Sequence, residues 1–292
     1  MAALRRTGTS LSHPSDGGVS SVEVHGETLA TAADDVRVWD ANTATATRVL
    51  VPPRGGVDAL ALGSSSGHTA HAVLAAVGRE LLLYDVRVPQ RVQHTTASCD
   101  GAAVDDISAL ALADDGVALA VADDSGDVRL MDLRRLGAKM TLRGVHTSLC
   151  ATVAWRPGRN ELCSGGLDAV CAVWCAADGA ATTTWRPNEW LDGSTTQLLN
   201  PRFAFSVAYS PDGSLLAIAL GDGSIQLRDG GGNFYEDLER AHAAAASRVV
   251  FAPQLARMRS LAACSATPAL PMLSIGDDQR LCILACGDDG AT

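Results

Sequence analysis

The chain has 292 residues, enough to bury a substantial hydrophobic core, and none of its segments has the composition of an interdomain linker. Its 33 acidic residues outnumber its 23 basic ones, the net charge is -10, and Lys139 is the only lysine. This balance disfavours nucleic acid as a partner, because phosphate binding needs a concentrated basic face. We therefore expect one domain over residues 1–292.

The amino terminus and the cysteines indicate the cellular compartment. Arg5 and Arg6 come before any apolar run of signal-peptide length. The uncharged stretch 260–276 contains Pro268 and Pro271 and is too short to span a membrane. The eight cysteines are scattered along the chain. We expect a soluble protein with reduced cysteines and no membrane partner, located in the cytoplasm, the nucleus or both.

Hydrophobic strands that close on a bulky residue, usually followed by aspartate, recur six times at intervals of 43 to 56 residues. Each interval holds alternating hydrophobic stretches separated by Gly, Pro and Asp turns, which predicts consecutive antiparallel strands. This period is typical of one propeller blade per repeat. The closing residues are Trp39, Tyr84, Met131, Trp174, Arg228 and Leu284.

The third repeat illustrates the pattern. Residues 107–112 alternate as a strand, residues 114–116 turn the chain, and two further strands are expected over 117–122 and 127–131. The fourth and fifth repeats follow the same order. We expect a fourth, outer strand after each third strand, which would make the blades four-stranded and antiparallel. Two such outer strands are expected over 139–143 and 233–238.

Two connections are longer than the others. Residues 176–201 separate the fourth and fifth repeats, and residues 253–271 lengthen the first hairpin of the sixth. Surface loops tolerate insertion, and they are also where recognition concentrates. Trp185, Trp190 and Phe203 lie in or just after the first connection. They predict either an anchor for a partner or a loop that folds back onto the blades.

The fourth repeat carries the most specific motif. His146 follows its predicted outer strand, Ser164 ends the second strand, Asp168 lies in the next turn and Trp174 closes the third. These residues resemble the WD40 repeat, in whose blades a His, a Ser, an Asp and a Trp form a buried hydrogen-bonded tetrad. The resemblance implies an all-β fold, a WD40 β-propeller with six recognisable repeats.

The tetrad is incomplete in the other repeats. His13 and His242 are the corresponding histidines expected in the first and sixth repeats. Met131, Arg228 and Leu284 replace the tryptophan in the third, fifth and sixth. For those three blades we expect packing alone to hold the strands together.

A narrower likeness bears on the number of blades. The run Gln197-Leu198-Leu199-Asn200-Pro201 is not part of the generic repeat and is similar to a run in one WD40 subfamily. That subfamily has one further carboxy-terminal repeat. The sequence therefore predicts either a six-bladed ring or a truncated seven-bladed one. Residues 2–7 are expected to supply the outer strand of the sixth repeat, which would close the ring without an exposed edge.

Two kinds of chemistry compete with these structural interpretations. His146, Ser164 and Asp168 could form a hydrolytic triad, but Ser164 lacks the context of a nucleophile elbow, so we expect no enzyme activity. The paired aspartates of the turns do not have the ligand spacing of a calcium loop. The pairs Cys171-x3-Cys175 and Cys282-x3-Cys286 lack the second close cysteine cluster that structural zinc sites usually have. We expect no metal and no cofactor.

The second and third repeats end in Tyr84-Asp85-Val86-Arg87 and Met131-Asp132-Leu133-Arg134. Each resembles the Trp-Asp-x-Arg signature by which many WD40 proteins dock on the propeller adaptor of cullin-4 ubiquitin ligases. An arginine just past the third strand presents a planar donor fork to a carboxylate or carbonyl of a partner. An aspartate followed by a solvent-exposed arginine is also common in the turn after a blade's third strand, where it needs no docking role.

The resemblance implies a noncatalytic protein-interaction scaffold that is a monomer within a complex. Its narrower form is a substrate receptor of a cullin-4 RING ubiquitin ligase that docks through Asp85, Arg87, Asp132 and Arg134. The alternative is a general assembly scaffold in a chromatin or trafficking complex. A propeller hydrolase is the third hypothesis.

Overall fold

The structure is a computed structural model in which every regular element of the described residues is a β-strand. Among these residues, no helix has the length and apolar character needed to cross a membrane. The described residues are 18–25, 28–40, 45–63, 69–90, 92–94, 97–99, 101–187, 201–251, 270–278 and 280–286.

The chain divides into two compact units at residue 153. The first unit contains three sheets, in which most neighbouring strands are antiparallel and consecutive in sequence; the last strand of each of the first two sheets departs from this order. Its first sheet comprises β1 (Ser21–His25), β2 (Thr28–Ala32), β3 (Val36–Asp40), β4 (Thr45–Val51) and β8 (Val92–His94); its second, β5 (Ala59–Leu62), β6 (Ala72–Val77), β7 (Glu80–Asp85) and β9 (Ala97–Cys99); its third, β10 (Ile107–Leu112), β11 (Ala118–Asp123), β12 (Val128–Asp132) and β13 (Gly137–Leu142).

The following residues form three more meander sheets. The sixth sheet has three strands among the described residues. The fourth sheet comprises β14 (Cys150–Trp155), β15 (Glu161–Gly166), β16 (Cys171–Cys175) and β17 (Ala181–Trp185); the fifth, β18 (Ala204–Tyr209), β19 (Leu215–Leu220), β20 (Ile225–Asp229) and β21 (Phe234–Leu238); the sixth, β22 (Ala246–Phe251), β23 (Leu270–Gly276) and β24 (Leu281–Cys286).

Local sequence explains the hairpins. Val77 pairs with Glu80 across the two-residue turn Gly78-Arg79, and Gly78 has a φ of 54°, a left-handed conformation that glycine adopts without a Cβ penalty. Successive side chains point to opposite faces of a strand, and β6 and β7 bury both faces, so that Leu74, Leu81 and Leu82 are all fully buried. Six successive sheets of this kind form a six-bladed β-propeller, and the predicted fold class is confirmed.

Each unit has its own hydrophobic clusters. In the first unit, one cluster joins residues of the second blade, including Leu74 and Leu81, to Leu119, Met131 and Leu133 of the third. In the second unit, clusters join the fourth blade to the fifth and the fifth to the sixth. Burial between neighbouring blades therefore supplies the core, as the propeller prediction requires.

The closing residues have a structural role that their sequence variety conceals. In four blades the pairing between the third and fourth strands shifts register at the closing residue. One residue of the fourth strand is therefore left unpaired there, as a β-bulge. A bulge bends and twists an outer strand and discourages edge-to-edge association with other chains. The shifts occur at Val38/Trp39, Leu130/Met131, Val173/Trp174 and Leu227/Arg228.

The structure departs from the regular plan at two places. Strand β8 leaves the second blade and pairs in parallel with β4 of the first, placing Val92 opposite Val49. The connection 176–201 contains β17, the fourth strand of its own blade. The remainder of that connection, 188–200, lies outside the described residues, as do residues 2–7 and most of 253–271. The single-domain assignment and the outer strand from residues 2–7 stay predictions.

Candidate functional site

The first candidate docking arginine is Arg87, which follows β7. Asp85, the last residue of that strand, accepts a hydrogen bond from the Arg87 backbone N–H at 2.9 Å. The Arg87 guanidinium folds back on the same carboxylate, with Nη2 at 2.6 Å from Oδ2 and Nε at 3.0 Å from Oδ1. The Arg87 side chain is nevertheless 66% exposed. Its fork is therefore accessible, but a partner must compete with Asp85 for it.

This ion pair shifts both ionisation equilibria. The hydrogen bond from the Arg87 side chain lowers the pKa of Asp85, outweighing the smaller opposing effect of burial. The same bond raises the pKa of Arg87. Both groups are charged at neutral pH, and the pair is exposed, so water and salt screen it.

Arg134 repeats the backbone geometry of Arg87 without the ion pair. Its N–H donates to Asp132 Oδ1 at 2.9 Å, the same turn that Asp85 makes. Its side chain is exposed, and among the described residues its guanidinium has no hydrogen bond or ion pair. Leu133, which lies between Asp132 and Arg134, is buried and packs this turn against the blade. Arg134 therefore presents an unoccupied donor fork.

The turns Asp85–Arg87 and Asp132–Arg134, here called the docking exits, lie on neighbouring blades. Strand β10 of the third blade packs against β5 of the second, and one hydrophobic cluster contains residues of both. Arg87 and Arg134 both follow the third strand of their blade, so they leave the same end of two sheets that pack together. The structure thus brings the four predicted docking residues to one end of one compact unit.

Three residues of the predicted tetrad in the fourth repeat, His146, Ser164 and Trp174, are buried, and Asp168 is half-buried. Trp174 Nε1 donates to Ser164 Oγ at 2.8 Å, and the Ser164 side chain has no exposed surface. His146 is buried in the connection before β14. Asp168 shapes the turn by accepting the Val170 N–H at 3.1 Å. The first blade has a related bond, from Trp39 Nε1 to Thr31 Oγ1 at 2.8 Å.

The sixth blade is not held by packing alone, and that expectation is wrong. His242 Nδ1 lies 3.0 Å from Asp278 Oδ1, and its Nε2 lies 2.9 Å from Ser274 Oγ. Asp278 also accepts the Ala243 N–H at 3.0 Å. This backbone bond lowers the pKa of Asp278, and the His242 bond adds to the effect against the opposing influence of burial. The carboxylate of Asp278 favours a proton on Nδ1, and in the neutral tautomer that carries it there, Nε2 accepts from Ser274.

The packing around this histidine leaves no room for another side chain at Gly276. A Cβ there would lie 2.5 Å from His242 Nδ1. His242 is 2% exposed and Ser274 1% exposed. Asp278, His242 and Ser274 have the connectivity of a hydrolytic triad, but a substrate carbonyl has no path to the buried hydroxyl. Ser164 is enclosed in the same way.

The fifth blade uses an arginine where the repeat has its histidine, so the packing-alone expectation fails here too. Arg202, which precedes β18 and is 3% exposed, donates from Nε to Asp222 at 2.5 Å and from Nη1 to Asp237 at 2.6 Å. Its Nη2 donates to Ser224 at 2.9 Å. A buried guanidinium needs such complete pairing, because desolvation of an unpaired charge is costly. The carboxylates and the serine tie the connection at Arg202 to the neighbouring turn and outer strand.

Arg228, the closing residue of the fifth repeat, is also buried. Its guanidinium carbon lies 4.4 Å from the centroid of the Trp185 ring, a cation–π arrangement. Its Nη1 donates to the carbonyl of Gly232 at 2.7 Å. Trp185 is therefore part of the blades, as the fold-back interpretation proposes. Phe203 meets Phe205 edge to face, and Trp190 lies outside the described residues.

No metal centre forms among the described side chains. Burial raises the pKa of Cys171 to about 12, which disfavours the thiolate that a metal would need. The side chain of Cys286 lies outside the described residues. Asp115 and Asp123 accept backbone N–H groups two residues further on, which is the behaviour of turn formers.

Comparison with known proteins gives three results. No family model matches the chain. Among curated proteins it is 23% identical over 220 residues to the WD repeat-containing protein 53 homolog of Dictyostelium discoideum, a match covering 70% of this chain and 59% of that protein. The chain thus spans less than two thirds of the length of this relative. This match agrees with the subfamily resemblance of residues 197–201.

Among solved structures, the chain is similar to a chain in a crystal structure of the mitotic checkpoint complex. The TM-score is 0.71 at 20% identity, and the match covers 92% of this chain and 75% of that one. At this identity the similarity concerns the fold, and it agrees with the propeller assignment.

Proposed function

We propose that this chain is a WD40-repeat protein and that it acts as a noncatalytic protein-interaction scaffold. The hydrophobic side chains of its blades are used in packing, which leaves turns and loops to contact partners. The two serines that lie near a histidine in the repeat pattern, Ser164 and Ser274, are both buried. Their hydrogen bonds hold the blades together and leave no nucleophile open to a substrate.

The finer proposal is a substrate receptor of a cullin-4 RING ubiquitin ligase. It rests on one observation, the pair of Asp-x-Arg exits at the same end of two blades that pack together. Arg87 and Arg134 are exposed there, and each is set in the same aspartate-capped turn. A guanidinium fork of this kind recognises carboxylates and carbonyls with defined geometry. The scaffold would then be a monomer within the ligase complex.

The structure also predicts that the two arginines contribute unequally. Arg134 is available without rearrangement, whereas Arg87 must give up its bonds to Asp85 before it can serve a partner. Adaptor binding should therefore depend more on Arg134. Replacing Asp85 with Asn should weaken the internal pair and leave the Arg87 fork more accessible.

The test is co-precipitation of the full chain with the purified propeller adaptor. Arg87→Ala combined with Arg134→Ala should weaken binding by roughly thirtyfold or more, since an interface arginine at a hot spot contributes about 2 kcal/mol or more. Arg159→Ala is the matched control, because Arg159 is also exposed in a turn but has no Asp-x-Arg context. Retention of binding by the double variant would exclude the docking role.

A second outcome distinguishes the ligase receptor from other scaffolds. Affinity purification of the chain from its own cell, followed by mass spectrometry, should recover the adaptor. Recovery of chromatin or trafficking proteins without the adaptor would instead favour the general assembly scaffold.

We also propose that the protein acts inside the cell. Cys150, Cys163 and Cys171 are buried within blades, where they take the place of small apolar residues. Cysteines used in this way are usual in a reducing compartment, whereas secreted proteins form disulfides. Fractionation of cells that express the tagged chain would locate it in the cytoplasm, the nucleus or both.

A further inference from the structure

A buried polar layer lies on the face of the fifth blade that packs against the fourth. Gln226 and Arg228 are two residues apart in β20, so their side chains project from the same face, and both are buried. The Trp185 ring of the fourth blade lies over the Arg228 guanidinium. Ile225 and Leu227, on the opposite face, belong to the cluster that joins the fifth blade to the sixth. The polar side chains therefore lie between two blades, away from bulk water.

Two arginines use one terminal atom of each neighbouring polar side chain in this layer. Gln226 Oε1 accepts a hydrogen bond from Arg228 Nε at 2.8 Å. Asp237, on β21, is paired directly opposite Gln226. Its Oδ2 accepts from Arg202 Nη1 at 2.6 Å. The Gln226 amide and the Asp237 carboxylate are thus each held at one end by a guanidinium group, and each has a second terminal atom.

These second atoms, Gln226 Nε2 and Asp237 Oδ1, are buried and unpaired. Neither has a hydrogen-bond partner among the described residues, and the Gln226 side chain has no exposed surface. Trp185 Nε1, in the strand of the fourth blade that covers this layer, is a further buried donor without a partner. An unpaired polar atom in a protein interior is destabilising and rare, because it has lost its hydrogen bonds to water. A donor and an acceptor at directly opposite positions therefore point to a bound group that pairs with both.

The chemistry of the two atoms selects the kind of ligand. Side chains that are directly opposite on antiparallel strands have Cβ atoms about 4.5–5.5 Å apart, which limits a bridging ligand to a small molecule. The Asp237 carboxylate disfavours an anion, and the guanidinium groups of Arg202 and Arg228 disfavour a cation. A water molecule is neutral, accepts from an amide N–H and donates to a carboxylate oxygen. Buried waters in proteins usually have two to four such partners, about three on average.

We propose that the fifth blade binds an internal water molecule, which accepts a hydrogen bond from Gln226 Nε2 and donates one to Asp237 Oδ1. The water joins two groups of polar residues that have no direct bond between them. One group holds Arg202 and the connection before β18, and the other holds Arg228 beneath Trp185. A continuous set of hydrogen bonds then runs from that connection to the fourth blade. The proposal concerns the interior of the blades and does not depend on adaptor docking.

The test in solution is nuclear Overhauser spectroscopy of the ¹⁵N-labelled full chain. The side-chain amide protons of Gln226 should give a cross peak at the water frequency with the sign of a long-lived contact. The side-chain amide of Asn233, which is exposed in the turn before β21, is the control and should show the opposite sign of rapidly exchanging surface water. A Gln226 amide with no water contact, or with the same sign as Asn233, would overturn the proposal.

A high-resolution crystal structure of the full chain tests the same site. It should contain a water oxygen within about 3.2 Å of both Gln226 Nε2 and Asp237 Oδ1, and a direct bond between these two atoms would refute the proposal.

A matched pair of variants tests whether the amide holds the water. Gln226→Glu keeps an acceptor for Arg228 and leaves a second oxygen to which the water can donate, so the crystal should retain the water. Gln226→Leu removes both polar atoms and should lose it. A water at full occupancy in Gln226→Leu, or its loss from Gln226→Glu, would contradict the assignment. The unaltered chain gives a decisive result even if Gln226→Leu does not fold.

Discussion

The hydrogen-bonded chain of the sixth blade allows a stability prediction to be worked out from the structure. Ser274→Ala removes the hydroxyl that lies 2.9 Å from His242 Nε2. Because the histidine is 2% exposed, water cannot replace the lost partner. An unsatisfied buried polar group costs about 1–3 kcal/mol, and the loss of one oxygen leaves only a small cavity. A protein of this size loses roughly 2–4 °C in melting temperature per kcal/mol, so we expect a fall of about 2–12 °C.

Thermal unfolding followed by circular dichroism measures this effect, and Ser247→Ala provides the control. Ser247 lies in the same blade and donates to the Ile275 carbonyl at 3.1 Å, but this bond is exposed and water can replace it. Its loss should change stability by about 0.5 kcal/mol at most. If the two variants melt at the same temperature, the His242 bond does not stabilise the blade and the reasoning fails.

Two further predictions concern acid and a glycine turn. The pKa of Asp222 is lowered overall, since hydrogen bonds from Ser224 and Arg202 outweigh the raising effect of burial, and the pKa of Asp278 is lowered as well. Their ionised forms stabilise the fold above the unfolded-state pKa of about 3.9, and this contribution is lost as pH falls through the folded values. The melting temperature should therefore drop steeply below about pH 4, and Asp222→Asn should flatten that drop; an unchanged pH profile would contradict it. Gly223 has a φ of 87°, and a Cβ there would lie 2.4 Å from the His242 carbonyl oxygen, whereas Gly144 has a φ of 81° and open space around it. Gly144→Ala should cost about 1–2 kcal/mol in urea unfolding and Gly223→Ala clearly more, and equal costs would show that the close contact does not matter.

The sequence by itself determined the strand plan, because alternation and turn chemistry act over a few residues. The expected strand over 107–112 is β10 as observed, and the expected outer strand over 233–238 is β21 to within one residue. Aspartates at the ends of strands act as turn formers through bonds to backbone N–H groups two residues away. Such contacts are local, so residue type and spacing are sufficient to predict them.

Tertiary structure decided which side chains meet across longer separations. Ser274 and Asp278 reach His242 from 32 and 36 residues away, and the missing tryptophan of that repeat conceals the connection. Arg202 takes the place of a histidine, and β8 pairs with a strand of the preceding blade. These arrangements depend on how whole sheets are placed, since a hydrogen bond requires atoms within about 3 Å of each other.

In the docking exits, the sequence determined one feature and the tertiary structure determined another. The spacing Asp-x-Arg was readable at Arg87 and Arg134, and it correctly placed each arginine just beyond a third strand. The sequence could not reveal that one fork is held by its own aspartate and the other is not. Rotamers of long side chains depend on the surroundings of each turn in the folded chain, and those surroundings form only when the blades pack.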